Sequence, residues 1–216
     1  MNVYVIMLDL RIESIEKYTK TIMKDCPEIK NCEYVPKPPG TEHYLLLAAL
    51  SMQLKNKTIL DFGTYRGNSA YMLAYGNRKL NNNNNIITYD ITDVYKELVD
   101  TANVDYRFDN MFDPVVREEN KEFLLSSDVM LIDIDPHEGI LEYDMYNWLK
   151  ENNYKGIIIY DDIHLGPGHM GTKSSRSMKE FWSKVDDKYK IDLTSVGHWT
   201  GTGVVCFNVE KCEIVY

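Results

Sequence analysis

Two acidic segments carry the residues best suited to chemistry. One is SDVMLIDIDPHEG, with Asp133, Asp135 and His137; the other is GIIIYDDIHLGPGHMG, with Asp161, Asp162 and His164. In each, the acids follow a short apolar run that reads as a strand buried in a parallel sheet. Ligands of open parallel sheets sit beyond the carboxyl ends of adjacent strands, so these four aspartates are expected to converge on one small region. Carboxylates that close repel each other unless a proton or cation neutralises them. A hard divalent ion such as Mg²⁺, bound by oxygens and waters, is the economical answer, whereas an Asp capping the next helix is the plainer reading of each residue singly. His137 and His164 titrate near neutrality and can move a proton beside such a site, or can serve as caps or supports.

A second constellation lies upstream. TILDFGTYRGNSAYMLAY reads as a strand ending in Asp61-Phe62-Gly63, a turn, and a helix opened by Gly67-Asn68-Ser69. The glycines allow a tight turn and a close ligand approach, and a helix N-terminus offers free N–H groups to an anion. The Gly63-x-x-x-Gly67 spacing is not the G-x-G-x-x-G of nicotinamide and flavin proteins, so a carboxylate-bearing ligand is as reasonable as a pyrophosphate. A bare strand-to-helix turn is the alternative. The next strand, IITYD, ends in Asp90, placed to accept hydrogen bonds from two ribose hydroxyls, or else to cap a helix. Together the turn and Asp90 point to a nucleoside ligand.

These residues need a sheet to position them, and the spacing supplies one. Apolar runs at 58–62, 86–91, 104–108, 129–134 and 156–161 alternate with NSAYMLAYGNRKL, DVYKELVD, DPVVREENKEFLLSS and EGILEYDMYNWLKENN, each able to form a helix. KIDLTSVGHW and GVVCFNV, joined through Thr200-Gly201-Thr202, read as an antiparallel pair. The expected architecture is α/β, a mostly parallel sheet ending in an antiparallel strand. Before it, residues 11–24 have the periodicity of an amphipathic helix, Pro36, Pro38, Pro39 and Gly40 interrupt the chain, and Thr41 is a plausible cap for an apolar helix, TEHYLLLAALSMQL. Asn81–Asn85 reads as a solvated loop insertion without a chemical role.

Composition bounds the rest. With 216 residues, 44% hydrophobic and 26% charged, the chain suits one globular domain, since single cores extend to roughly 250 residues. A net charge of −9 counts against gripping phosphate backbones, so no nucleic-acid partner is expected. There is no long uncharged stretch for a membrane span, and Asp9, Arg11 and Glu13 break what would be a signal's apolar core. Cys26, Cys32, Cys206 and Cys212 form no CxxC pair, so neither a disulfide nor a zinc framework is read, and a cytoplasmic location is expected.

ILDFGTYRGNSAYMLA resembles motif I of class I S-adenosylmethionine-dependent methyltransferases, and the likeness runs over roughly residues 41–208. It looks closest to the metal-dependent O-methyltransferases of the catechol and caffeoyl-CoA type and their relatives acting on sugars of macrolides and other glycans. That resemblance implies a Rossmann-like seven-stranded sheet with helices on both faces and an antiparallel terminal strand. It implies that Asp61, Gly63, Tyr65 and Gly67 surround the methionine part of the cofactor, that Ser69 bonds its carboxylate, and that Asp90 holds the ribose. Asp109 and Asn110 would lie near the adenine, and Asp135 would touch the cofactor. Asp133, Asp161 and Asp162 would hold the ion, which would bind the acceptor hydroxyl and lower its pKa. His137, four residues past Asp133, is then the first choice of base and His164 the second; catechol-type enzymes carry a Lys near here, and this chain has Pro136-His137.

The expected function is therefore metal-assisted O-methylation of a sugar, glycan or similar small molecule. A catechol or phenol acceptor is the alternative, as is a non-catalytic binding subunit of the same fold. A nicotinamide oxidoreductase is opposed by the glycine spacing and the terminal hairpin. Residues 1–40 are read as a lid or dimer-contact extension, which would allow a homo-oligomer, and 41–216 as the methyltransferase domain. Residues 163–173, rich in glycine, suit a loop over the acceptor. His198 and Trp199 are read as ordinary packed aromatics that could border the pocket, and His43 as structural.

Overall fold

The computed structural model describes residues 6–25, 40–92, 104–168, 176–208 and 212–215. In chain order the elements are β1 (Ile6–Asp9), α1 (Ile12–Asp25), α2 (Gly40–Gln53), β2 (Thr58–Phe62), α3 (Asn68–Leu73), α4 (Tyr75–Leu80), β3 (Asn85–Asp90) and β4 (Val104–Phe108). They continue with α5 (Pro114–Glu119), α6 (Lys121–Ser126), β5 (Val129–Ile132), α7 (Ile140–Glu151), β6 (Ile157–Asp161), α8 (Met178–Lys184), β7 (Lys190–Asp192), β8 (Thr202–Cys206) and β9 (Cys212–Val215).

Seven strands form one sheet in the order β4-β3-β2-β5-β6-β8-β7. β2 to β6 run parallel, and β8 lies antiparallel to both β6 and β7. Successive residues of each strand feed opposite faces, as strand geometry requires. Ile59, Ile86, Val129, Leu131, Ile157 and Ile159 pack with α2, α3 and α1 on one side. Leu60, Phe62, Ile87, Met130, Ile132, Ile158 and Tyr160 pack with α6, α7 and α8 on the other. Two covered faces are why these strands are apolar almost throughout.

Several local expectations change. The helix read over 68–80 divides at Ala74 into α3 and α4. α2 begins at Gly40, one residue before the expected cap at Thr41. β5 stops at Ile132, which puts Asp133 on the turn itself. The strand read through KIDLTSVGHW is extended only over Lys190–Asp192; Leu193 to Gly201 instead make turns closed by Val196 N–H to Leu193 O and Gly201 N–H to His198 O. DVYKELVD, the Pro36–Pro39 segment and the distal part of the glycine-rich loop lie outside the described residues. Unforeseen is a second, two-stranded parallel sheet, β1 with β9, against which α2 packs. Among the described residues no helix is long and apolar enough to cross a membrane.

The asparagine run is a structural clasp, which corrects the reading of a solvated loop. Asn82 and Asn84 are buried. Asn84 accepts from Lys57 N–H at 3.0 Å and donates to Leu54 O at 2.9 Å, while its backbone exchanges bonds with the Asn77 amide at 2.8 Å each. Asn82 donates to Ser51 O and Met52 O. Asn81 and Asn83 take left-handed conformations that this residue type tolerates well (φ 52 and 55).

Candidate active site

The glycine turn, the acidic strand ends and the start of α2 meet at the carboxyl edge of the sheet. Gly63 leaves β2 at φ +101, and an ideal Cβ there would lie 1.7 Å from the carbonyl oxygen of Asp133, so only glycine fits between the ends of β2 and β5. Tyr65 (φ 44) and Gly67 (φ 86) complete the turn into α3. Beneath it Asp61 is fully buried, accepting from Ser69 Oγ at 2.8 Å and Thr88 Oγ1 at 2.7 Å. Burial raises its carboxyl to about 6 although both hydroxyls oppose the rise. Asp61 Oδ1 and Asn68 Oδ1 are buried without hydrogen-bond partners among the described residues. Ser69, expected to meet a ligand carboxylate, is engaged with Asp61.

At the end of β3, Asp90 Oδ2 accepts from Tyr65 N–H at 2.6 Å and Oδ1 from Thr92 N–H and Oγ1 at 2.8 and 2.7 Å. It thus ties the glycine turn to its own strand. Asp109 follows β4 and donates its N–H to Asp90 O, while Asn110 Oδ1 accepts from Phe112 N–H; both side chains are exposed.

Of the four aspartates expected to converge, Asp133, Asp161 and Asp162 lie close enough to perturb one another, whereas Asp135 faces outward. Burial first, and Asp161 next, raise Asp133 to about 8. The same causes raise Asp162, which sits at φ 60. Asp161 behaves oppositely: burial would raise it, but His43 and His198 hold it well below the ordinary carboxylate range. His137 (φ 55) lies 3.5 Å from Asp162 and 3.3 Å from Asp135. Burial disfavours its charged form, yet Asp133 and Asp162 outweigh that and raise it. The side chain of Asp135 is largely exposed. His164 turns elsewhere, to Asp192 of β7 at 2.9 Å.

Two residues assigned to packing belong to this cluster. His198 Nε2 lies 2.6 Å from Asp161 Oδ1, and His43 Nδ1 lies 3.1 Å from the same oxygen. All three residues are buried, and they form a group able to hold a metal ion. His43 is raised to about 9: burial opposes its charge, and Asp161 more than compensates. Tyr44, next to His43, is held above its ordinary range by burial and by Asp133, and its hydroxyl meets Asn68. Trp199 is exposed. The available signal for His43 was an imidazole in the first turn of an otherwise apolar helix.

This strand order, with one reversed strand, a glycine turn after β2 and an acid closing β3, defines the fold of class I S-adenosylmethionine-dependent methyltransferases. Residues 60–163, just under half of the chain, match the family model described as a methyltransferase domain. Solved structures agree in fold. An O-methyltransferase from Bacillus cereus in complex with SAH is 16% identical over 91% of each chain, with a TM-score of 0.54. The O-methyltransferase TomG from Streptomyces achromogenes, involved in tomaymycin synthesis and bound to SAM, is 15% identical over 91% of this chain and 90% of its own, also at 0.54. A CmcI structure with Mg and SAM is 12% identical over 77% and 71%, at 0.50. No curated protein matches the chain.

Proposed function

We propose that this chain transfers the methyl group of S-adenosylmethionine to a hydroxyl of a small acceptor, with a divalent cation assisting, and that the acceptor is a sugar or glycan. The observation that carries this reading is the crowding of Asp133, Asp161 and Asp162 at one buried strand edge: a carboxyl raised to about 8 by burial first and by Asp161 next marks a place where a cation relieves the cost of buried like charges. Those three residues would hold the ion, which when bound would lower the pKa of the acceptor hydroxyl. His137, beside Asp162, takes up the released proton. Related folds with bound SAM, SAH and Mg-SAM support the choice of cofactor and ion.

The residues of the glycine turn fit the cofactor. The unpartnered oxygens of Asp61 and Asn68 suit an ammonium group, and Ser69 acts by orienting Asp61. Asp90 turns from Thr92 to ribose hydroxyls, with Asp109, Asn110 and Asp135 flanking. Pro136-His137 in place of a lysine, and the Asp161-Asp162 pair beside a histidine, favour a sugar over a catechol. We keep residue 40 as the boundary between extension and catalytic domain. The test is a screen of monosaccharides, glycosides and catechols with labelled cofactor, with Mg²⁺ or Mn²⁺ and with chelator. Chelator-sensitive methylation of glycosides is expected. Cofactor binding without transfer to any hydroxyl would overturn the reading.

A further inference from the structure

We infer that the ion held by Asp161 is also ligated by the imidazoles of His43 and His198, so that this site takes a first-row transition ion such as Mn²⁺, Fe²⁺, Co²⁺ or Zn²⁺ in preference to Mg²⁺. The inference deepens the metal-assisted reading and rests on it. His43 comes from the first turn of α2, Asp161 from the end of β6 and His198 from the turn before β8. Three separate elements converge, and their ligand atoms all lie within 4.8 Å of one another.

The hydrogen-bond inventory asks for a positive group at their centre. Thr200 hydroxyl serves the Asp162 carboxylate, and it also touches His198 Nδ1. A hydroxyl has one proton, so if that proton goes to Asp162, Nδ1–H of His198 must donate to Thr200. With only that proton on the ring, Nε2 of His198 aims its lone pair at Asp161 Oδ1, 2.6 Å away. Two lone pairs at that distance need a proton or a metal ion between them. His43 adds a third donor: its Nδ1 approaches the same oxygen at 3.1 Å off the line of an aligned hydrogen bond, and its Nε2 faces no hydrogen-bond partner among the described residues. His43 is 3% exposed, and leaving such a ring unmatched is costly.

The spacing suits coordination. Ligands about 2.1 Å from a metal lie about 3.0 to 3.4 Å apart in octahedral or tetrahedral sets, and His43 Nδ1 to Asp161 Oδ1 falls in that range; the closer His198 contact needs only a small opening. The two imidazoles, with centroids 5.2 Å apart and planes at 84°, do not stack and can address one ion from two sides. Thr200 fixes the His198 ring from behind, as outer partners of metal-bound histidines do. Imidazole nitrogen favours transition ions over Mg²⁺, whose ligands are oxygens.

The test uses the full chain, stripped with chelator and titrated with Co²⁺ while its visible absorption is followed. One Co²⁺ per chain is expected, with imidazole-type bands that a roughly hundredfold excess of Mg²⁺ fails to remove. His43→Gln and His198→Gln should each weaken Co²⁺ binding by about tenfold or more, with calorimetric binding of S-adenosylhomocysteine retained. Displacement of Co²⁺ by equimolar Mg²⁺, absence of Co²⁺ binding, or affinities unchanged in both variants would overturn the inference. Mg²⁺ binding without Co²⁺ preference would leave the proposed function standing; no ion binding alongside normal cofactor binding would remove its metal step as well. Should either variant fail to fold by circular dichroism, the wild-type competition decides.

Discussion

Gly63 and Asp133 meet where two central strands end, with no room for a side chain between them: a Cβ on Gly63 would stand 1.7 Å from the Asp133 carbonyl oxygen. The cofactor turn and the acidic cluster therefore share one backbone contact. Gly63→Ala meets both this clash and a positive φ, at a combined cost of roughly 3 to 5 kcal/mol. Thermal denaturation should show the midpoint falling by about 10 °C. A midpoint within about 2 °C of wild type would mean that the strand ends separate at little cost.

Asp90 secures Tyr65 N–H and is the residue proposed to hold the ribose. Asp90→Ala is expected to weaken S-adenosylhomocysteine binding by about tenfold to a hundredfold, since a charge-assisted hydrogen bond contributes about 1.5 to 3 kcal/mol. Calorimetry measures it directly, and an unchanged affinity would exclude Asp90 from the ligand site.

Asp133→Asn and Asp162→Asn separate cofactor binding from chemistry. Each should lower the methyl-transfer rate by roughly a hundredfold or more while leaving S-adenosylhomocysteine affinity within about threefold, as expected when the loss falls on transition-state stabilisation alone. Initial rates across a series of divalent-ion concentrations check this. Rates that recover fully at high ion concentration would place the defect in ion affinity alone.

Glu142, buried at the start of α7, supplies a pH test on a carboxyl outside the three clustered aspartates. Burial raises its carboxyl from 4.5 to about 7. A raised acid is neutral in both states below pH 4.5, and its ionisation penalises the folded state increasingly up to pH 7. Glu142→Gln, which mimics the neutral form, should match wild type near pH 4.5 and exceed it by about 3 kcal/mol at pH 8. Urea denaturation at the two pH values reads the difference, and a variant no more stable at pH 8 would show that Glu142 ionises without penalty.

In the asparagine clasp, Asn84→Ala strands Lys57 N–H and Leu54 O in the interior. The expected loss is about 2 to 5 kcal/mol. Asn85→Ser, at an exposed neighbour whose own N–H bonds Lys57 O, should stay within about 0.5 kcal/mol. Denaturant midpoints of the pair distinguish a clasp from a tolerant loop.

The sheet was legible because β2, β3, β5 and β6 are buried on both faces and so read as unbroken apolar runs, while the acids beside them mark the carboxyl edge. Asp133, Asp161 and Asp162 could be grouped from that alone. His43 and His198 could not. α2 is apolar around its circumference, so periodicity gives its first turn no direction, and only the packing of α2 on α3 and α4 brings His43 to β6. His198 was hidden by the extended pattern of residues 190–199, whose middle makes turns instead. The clasp was masked by composition, since a run of asparagines looks solvated whether or not its alternate members are buried.

The pairing of β1 with β9 has a consequence for how the molecule is assembled. Ile6 and Cys212 are register partners roughly 200 positions apart. During synthesis the segment that becomes β1 emerges early and waits for its neighbour until nearly all of the described chain has been made. The seven-stranded sheet needs neither strand for its own hydrogen bonds, so it can form first, and this small ribbon is the natural last step. It would close like a clasp across a finished body.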